Sequence, residues 1–516
     1  MKRIISLLLC VMMVTVLFSG CDGQQSAYTP TGDGLTWDED YTGPTNAPKP
    51  ENTEQSLKLT YYPDRSMNPF LCTDFTNRAL FSLLYQSLFS VDRSYNIEPQ
   101  LCKNYRVSQD MKTYTFYLES ATFTDGSALS AQDVAASLQA AKDSSIYSGR
   151  FTHISQIALS DDGGVTVTLA TPVENLPLLL DIPILKQSQL QDDQPMGTGP
   201  YYLDGGAQAA VLRRNTNWWC RAEMVITASA IALTAAESTA GIRDAFEFEG
   251  LSLVCADPGS DRYADYRCDY ELWDIENNIF LYLGCNLDSA VFSDPAVRAA
   301  LVRAIDRDTL AESFYRGFAR SASLPASPLS PYYSDVLAAK YVYDGGAAFT
   351  QAVTKASLSG TEIILLVNSD DSLRVRVARE IGKALTASGL KVQMQELPTS
   401  KYTQALKQRT YDLYLGQTKL SANMDLTAFF SSKGSLNYGK LSDVAMYTLC
   451  TEALANHGNY YTLHKSVMDD GRLCPILFRS YAIYATRGLL TGLTPARDNV
   501  FYYSMGKTMA DALITE

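Results

Sequence analysis

The sequence predicts an α/β protein with more than one domain, and three observations carry that expectation. Its 516 residues are enough for two or three domains with full cores. Residues 110–142 read as strand, turn and capped helix. Residues 363–397 read as strand, helix, strand, an order that implies a parallel pair with a right-handed crossover. The composition agrees, since 46% apolar and 19% charged residues describe an ordinary globular chain. A formal net charge of −13 does not read as that of a nucleic-acid binder. It also repels the chain from an anionic membrane surface, so any membrane attachment needs an anchor. The 32 tyrosines matter because aromatic faces are common in ligand clefts, although packing claims most of them.

The chain opens with an export signal. Lys2 and Arg3 precede a mostly apolar run at residues 4–18, too short for a comfortable membrane span. Phe18-Ser19-Gly20-Cys21 resembles a bacterial lipobox, in which Cys21 is lipidated and becomes the new N-terminus; Phe18 stands where leucine is usual. Loss of the leader takes Lys2 and Arg3 away and moves the net charge from −13 to −15. Residues 22–56 form a disordered linker, with Pro30, Pro44, Pro48, Pro50, four glycines and little that forms a core. As a flexible coil it holds the body roughly 30 Å from the lipid.

The folded body begins with a short strand at residues 57–61. In residues 113–118 Tyr114, Phe116 and Leu118 alternate with Thr113, Thr115 and Tyr117, the period of a half-buried strand. Asp125-Gly126 is a turn pair. Ser130 caps a helix, with Asp133 closing a capping box and Val134, Leu138 and Ala141 at helical spacing. Residues 154–159 and 165–169 form a hairpin through Asp162-Gly163-Gly164. In the middle, residues 237–246 read as helix, 251–255 and 279–283 as strands. Asp294 caps the next helix, Pro295 suits its first position, and Val297, Leu301 and Ile305 share a face. Asp306 caps a further helix ending at Gly317. Then come a strand at 363–367, a helix at 372–385 with Val377, Ile381 and Leu385 on one face, and its stop at Gly389. A strand at 392–397, a helix at 401–407 and a strand at 411–415 follow.

Catalytic chemistry is poorly represented. There is no G-x-S-x-G elbow and no H-E-x-x-H zinc motif. Serine–x–x–lysine at residues 388–391 and 504–507 has no K-T-G partner and reads as chance. His153, His457 and His464 do not cluster, which argues against a metal site and, weakly, against nickel as cargo. No cofactor is expected. Beyond Cys10 and Cys21 eight cysteines remain, with no C-x-x-C pair. Eight allow 105 pairings; Cys255 with Cys268 is the only pair close in sequence, and buried free thiols are the alternative.

Three motifs, in order and correctly spaced, resemble the family 5 extracellular solute-binding proteins of ABC importers, a group with oligopeptide-, dipeptide- and nickel-binding members. The first is Tyr114-Thr115-Phe116, then Phe123-Thr124-Asp125-Gly126, then Leu129-Ser130-Ala131-Gln132-Asp133-Val134. The second is Gly197-Thr198-Gly199-Pro200-Tyr201, running on to Asn215 and Trp218-Trp219. The third runs from Asp294 through Val297-Arg298 to Ile305-Asp306-Arg307. The resemblance covers roughly residues 57–509 and is weakest in the middle. It implies a two-lobed periplasmic-binding-protein-like fold of class II, its lobes joined by a two-crossing hinge, with the first crossing near residues 284–287. Lobe 1 is then residues 57–285, with a small subdomain about 80–195; lobe 2 is 286–474; and 475–516 return to lobe 1. Asn68-Pro69 stands where the family has a turn, residues 81–89 resemble a family helix, and Cys474-Pro475-Ile476-Leu477 resembles the family segment at the second crossing.

The function implied is a lipid-anchored binding protein on the extracytoplasmic face of the cell membrane. It captures peptides or other small solutes and works with permease and ATPase subunits, without catalysis. An exported hydrolase or a peptide-pheromone sensor on the same scaffold is the alternative. Peptide-binding relatives hold cargo with two loops, which correspond here to Thr73, Asp74, Phe75, Thr76 and Asn77, and to a segment with Gln417, Thr418, Lys419, Asn423 and Asp425. The family's W-x-x-D-Y-x-D-P acid, which grips a ligand ammonium, has no clear counterpart after residues 411–416. Asp425 stands in for it, displaced by several residues, unless it caps a helix at 426–430. Lys419 selects instead an anionic group.

Overall fold

The computed structural model of the chain describes residues 57–206, 209–220, 222–259 and 266–514. The export signal, Cys21 and the linker to residue 56 lie outside the described residues.

In the first part of the chain the alternation in Thr113–Leu118 does what it predicts. That strand lies between Cys102–Val107 and Val165–Leu169, with Ile154–Leu159 at the edge, in one antiparallel sheet. Tyr114, Phe116, Val165 and Val167 are buried on one face. The helix Ala131–Asp143 covers them, burying Val134, Leu138 and Ala141 completely. Its capping box is closed: Ser130 accepts from the Asp133 amide, and the Asp133 carboxylate accepts from the Ser130 amide at 3.0 Å.

Residues 81–89 depart from expectation. Only Phe81–Leu84 is helical, and Phe89–Val91 is a strand. The carbonyls a longer helix would use are taken from outside. Leu84 O accepts from Gly199 N, Gln86 O from Ile184 N, and Leu88 O from Gln100 N and Cys102 N. The Gly197-Thr198-Gly199 motif acquires a reason here, because a Cβ at Gly197 would sit 2.2 Å from Leu84 O and one at Gly199 2.5 Å from Leu84 C.

The later α/β part follows the sequence closely. Asp294 and Asp306 cap the helices Pro295–Leu301 and Arg307–Tyr315. Glu362–Asn368 and Lys391–Leu397 pair in parallel around the helix Ser372–Ala387, and Leu413–Lys419 joins them, also in parallel. The last strand runs four residues beyond the expected end, to Lys419.

Two long strands tie these parts together. The outgoing strand, Tyr270–Cys285, and the return strand, Leu473–Thr486, pair antiparallel at the centre of a seven-stranded sheet. Ile275 and Ile483 enter one hydrophobic core, built mostly from residues 57–233. Leu281, Leu283, Cys285, Cys474, Ile476 and Leu477 enter another, built from residues 281–477. The pairing is interrupted between Glu276 and Phe280, where Asn278 adopts φ +56°. Sequence periodicity placed a strand only at residues 279–283 and the crossing at 284–287, because Glu276-Asn277-Asn278 is a polar run with low strand preference.

All eight cysteines of the described residues are free thiols, Cys255 and Cys268 included. Burial pushes the Cys255 thiol up to about 12, which keeps it protonated.

Across the outgoing strand and Leu413–Lys419, two tyrosines cover two glycines: Tyr282 opposes Gly416, and Gly284 opposes Tyr414. A Cβ at Gly416 would lie 2.5 Å from the Tyr282 ring. Gly416→Ala is therefore expected to lower stability by about 1–3 kcal/mol, the usual cost of overpacking. The urea midpoint reads this directly, and an unchanged midpoint would contradict the packing described.

Candidate functional site

The interruption in the crossing strands gathers polar side chains that a central sheet normally avoids. Glu276, Asn277, Asn278, Arg479 and Ser480 are all buried. Tyr95 donates to Asn278 Oδ1 at 2.5 Å and reaches Glu276 at 3.4 Å. Arg479 donates to Gln417 Oε1 at 3.0 Å and pairs with Asp257 at 2.6 Å. Asn277 Nδ2, Asn278 Nδ2 and Ser480 Oγ are buried without a protein partner among the described residues. Each such group costs about 1–3 kcal/mol unless water or a ligand meets it, so their concentration at one place makes this seam a candidate site.

Two of the segments singled out from the sequence meet at this seam. In the first, Asp74 and Asn77 hold the backbone. Asp74 accepts from the amides of Thr76 and Asn77 at 2.9 and 3.2 Å and pairs with Arg65. Asn77, fully buried, bonds Tyr62 N at 2.7 Å and Tyr62 O at 3.0 Å. Phe75 stacks on Tyr481 of the return strand, ring centroids 4.0 Å apart. Asp74, Phe75 and Thr76 line a hollow of about 370 Å³ with Asp257 and Tyr481. Thr73 is exposed. In the second segment Gln417 accepts from Arg479, Thr418 is half-buried, and Lys419 pairs with Asp498.

Asn423 and Asp425 are both engaged by protein groups, Asp425 in the helix-capping role that is its alternative. Its Oδ2 lies 2.9 Å from His153 Nε2, and its Oδ1 accepts from Thr427 N at 2.7 Å. The short helix Thr427–Phe430 needs an acceptor for its first amides, and Asp425 supplies it. Asn423 Oδ1 takes the Ser421 hydroxyl at 2.7 Å, and its carbonyl takes the Tyr460 hydroxyl. His153 is thereby tied to a segment distant in sequence. His457 bonds Glu174 through its amide and ring at 2.7 and 3.0 Å, while burial pulls the enclosed His464 down to about 3 and keeps it neutral.

A smaller hollow of about 100 Å³ adjoins the first segment, with Arg78, Arg150, Asp181 and Asp498 among its walls. Sequence reasoning missed Arg78, Arg150, Arg479, Tyr481, Arg497 and Asp498. The available signal was polar residues inside apolar runs, as in Ile476-Leu477-Phe478-Arg479-Ser480-Tyr481.

A cleft floored by two crossing strands, with a core on either side, defines a two-lobed binding-protein fold. The chain matches the family model described as bacterial extracellular solute-binding proteins, family 5 middle, over residues 96–439, and it belongs to that family. It is a solute-binding protein, not an enzyme. It is 23% identical over 390 residues to the glutathione-binding protein GsiB of Escherichia coli O1:K1 / APEC, covering 72% of this chain and 74% of that protein. Its fold matches DppA from Helicobacter pylori in complex with the peptide STSA, with a TM-score of 0.62, 18% identity and coverage of 88% and 98%. NikZ from Campylobacter jejuni in complex with Ni(L-His) matches with a TM-score of 0.62, 18% identity and coverage of 89% and 98%. No helix among the described residues is long and apolar enough to cross a membrane.

Burial works to raise the Asp425 carboxyl, but the bond and charge of His153 and the bonds from Thr427 outweigh it and hold it below its ordinary 3.8. A carboxyl held low in the fold adds stability above its unfolded value, and that stability is lost as pH falls through the lower folded value. Asp425→Ala is expected to cost about 1–3 kcal/mol at neutral pH. The gap between variant and wild type should narrow in acid below 3.8. Urea titrations at two pH values test this, and equal stabilities at neutral pH would contradict it.

Proposed function

We propose that the protein is the cargo-capturing subunit of an ABC importer. In this reading it is lipid-anchored through Cys21 on the extracytoplasmic face and passes peptides or related small solutes to a permease and its ATPase. The observation that carries it is the incompletely paired polar seam at residues 276–278 and 479–480, on the strands that cross between two cores. Family membership supports the importer role, and glutathione binding by GsiB and the peptide held by DppA favour peptide-like cargo. Lobe 1 is taken as residues 57–285, lobe 2 as 286–474, and 475–516 as the return to lobe 1. Hinge closure of such lobes encloses a ligand. Phe75, Thr76, Gln417 and Lys419 are proposed to face it, with Thr73 and Thr418 at the margin. Asp74, Asn77, Asn423 and Asp425 are proposed to hold the frame through the bonds they make within the protein.

The purified protein is to be incubated with pools of short peptides, glutathione included, and both bound and consumed species followed by mass spectrometry. The expected result is selective retention of some peptides with none consumed. Retention of none, or turnover of any, would overturn the reading. In cells, palmitate labelling should depend on Cys21, and Cys21→Ser should release the protein into the medium. An unlipidated form in the medium with Cys21 intact would contradict the anchor.

A further inference from the structure

Two of the chain's three histidines sit where segments distant in sequence meet. His153 is held at both ring nitrogens, Nδ1 2.7 Å from Thr171 Oγ1 and Nε2 2.9 Å from Asp425 Oδ2. A little beyond Thr171, the Glu174 amide donates to the Leu454 carbonyl at 2.8 Å. The Glu174 carboxylate in turn accepts from the His457 amide at 2.7 Å, and the His457 ring lies 3.0 Å from the same oxygen. Apolar side chains are exchanged beside these bonds. Leu178 enters a core built mostly from residues 280–478, while Leu176 and Leu179 on either side of it stay in the core built mostly from residues 57–233. Leu454 crosses the other way and joins that second core. These contacts bridge residues 153–178 to residues 425–457, and none of the groups belongs to the crossing strands.

We infer that these contacts form a clasp between the two lobes, made when the lobes close and broken when they open, so that it governs cargo release without touching cargo. The inference rests on the proposed binding role and its lobe boundaries, with residues 153–178 in lobe 1 and 425–457 in lobe 2, and adds a control on that role. The extent of each connection says which one yields. The crossing strands are 16 and 14 residues long and pair along most of that length, so they hold. The clasp is two leucines and a handful of hydrogen bonds between loops and helix ends, and water can satisfy its polar groups on opening. Its two pairs differ in weight. The side chains of His153 and Asp425 are only 9% and 11% exposed, so water screens them little. Those of His457 and Glu174, at 71% and 36%, make a weak, screened pair. The inner pair therefore carries most of the strength, and the outer one sets the register. Contacts made in the closed state alone shift the equilibrium toward closure and slow release, whatever the cargo.

The test uses the full chain, Glu174→Ala, His153→Ala and the two combined. Glu396→Ala serves as a control, because it breaks an exposed ion pair with Arg379 inside lobe 2. Circular dichroism confirms that the variants are folded, and the exposed Glu174 keeps the test open should His153→Ala fail to fold. Without added peptide, small-angle X-ray scattering should show a larger radius of gyration for Glu174→Ala and His153→Ala, larger still for the double variant, and none of the increase for Glu396→Ala. Peptides that the wild type retains from a pool of short peptides, glutathione included, should leave the double variant at least fivefold faster. An unchanged radius in every clasp variant, or an equal rise with Glu396→Ala, would overturn the clasp and leave the peptide reading standing. A larger radius with unchanged peptide release would overturn its control of cargo. A larger radius in the clasp variants with no peptide retained by the wild type would keep the clasp and overturn the peptide reading.

Discussion

The structure depends on two strands that must serve two cores at once. Tyr270–Cys285 and Leu473–Thr486 bury apolar side chains at both ends, Ile275 and Ile483 at one and Leu283 and Ile476 at the other. An unbroken apolar pair would make one stiff sheet through both. Instead the middle of each strand is polar, and the pairing is interrupted between Glu276 and Phe280. The interruption leaves side-chain groups between the two cores without a protein partner among the described residues. That is where a solute-binding protein needs adaptable polar groups and the freedom to bend. Stability and recognition therefore compete along the same few residues.

The side chains around the seam divide into those that hold and those that are free to meet a ligand. Asn77 ties its loop to the backbone of Tyr62, and Asp74 caps the turn that presents Phe75. Asp425 joins His153 across a separation of 272 residues, and Glu174 joins His457 across 283. These contacts fix how segments distant in sequence meet. By contrast Arg479 bridges Gln417 and Asp257, and Tyr481 stacks on Phe75, so residues of three separate segments converge on the return strand.

Much of the fold was legible in the sequence because local preference and tertiary need agree there. The Ser130–Asp133 capping box, the hairpin of Ile154–Leu159 with Val165–Leu169, and the parallel pair Glu362–Asn368 with Lys391–Leu397 appear where periodicity and caps put them. Residues 81–89 misled because the resemblance implied a helix there, while the carbonyl of Gln86 accepts from Ile184 N and that of Leu88 from Gln100 N and Cys102 N. The outgoing strand was seen only in part because Glu276-Asn277-Asn278 argues locally against a strand. The site was legible as two segments but not as chemistry. Asp425 looked like a free acid because no spacing rule reveals that His153 lies beside it. Arg78 and Arg479 were passed over because an isolated arginine usually marks an ordinary surface or paired group, and only the fold shows what each one meets.

Hydrogen–deuterium exchange on the full chain, with and without cargo retained from a peptide pool, tests the central claim most directly. The account predicts that binding slows exchange at residues 276–280 and 478–481, together with 73–78 and 417–419. Slowed exchange confined to outer segments such as residues 335–345, with the crossing strands unaffected, would contradict it.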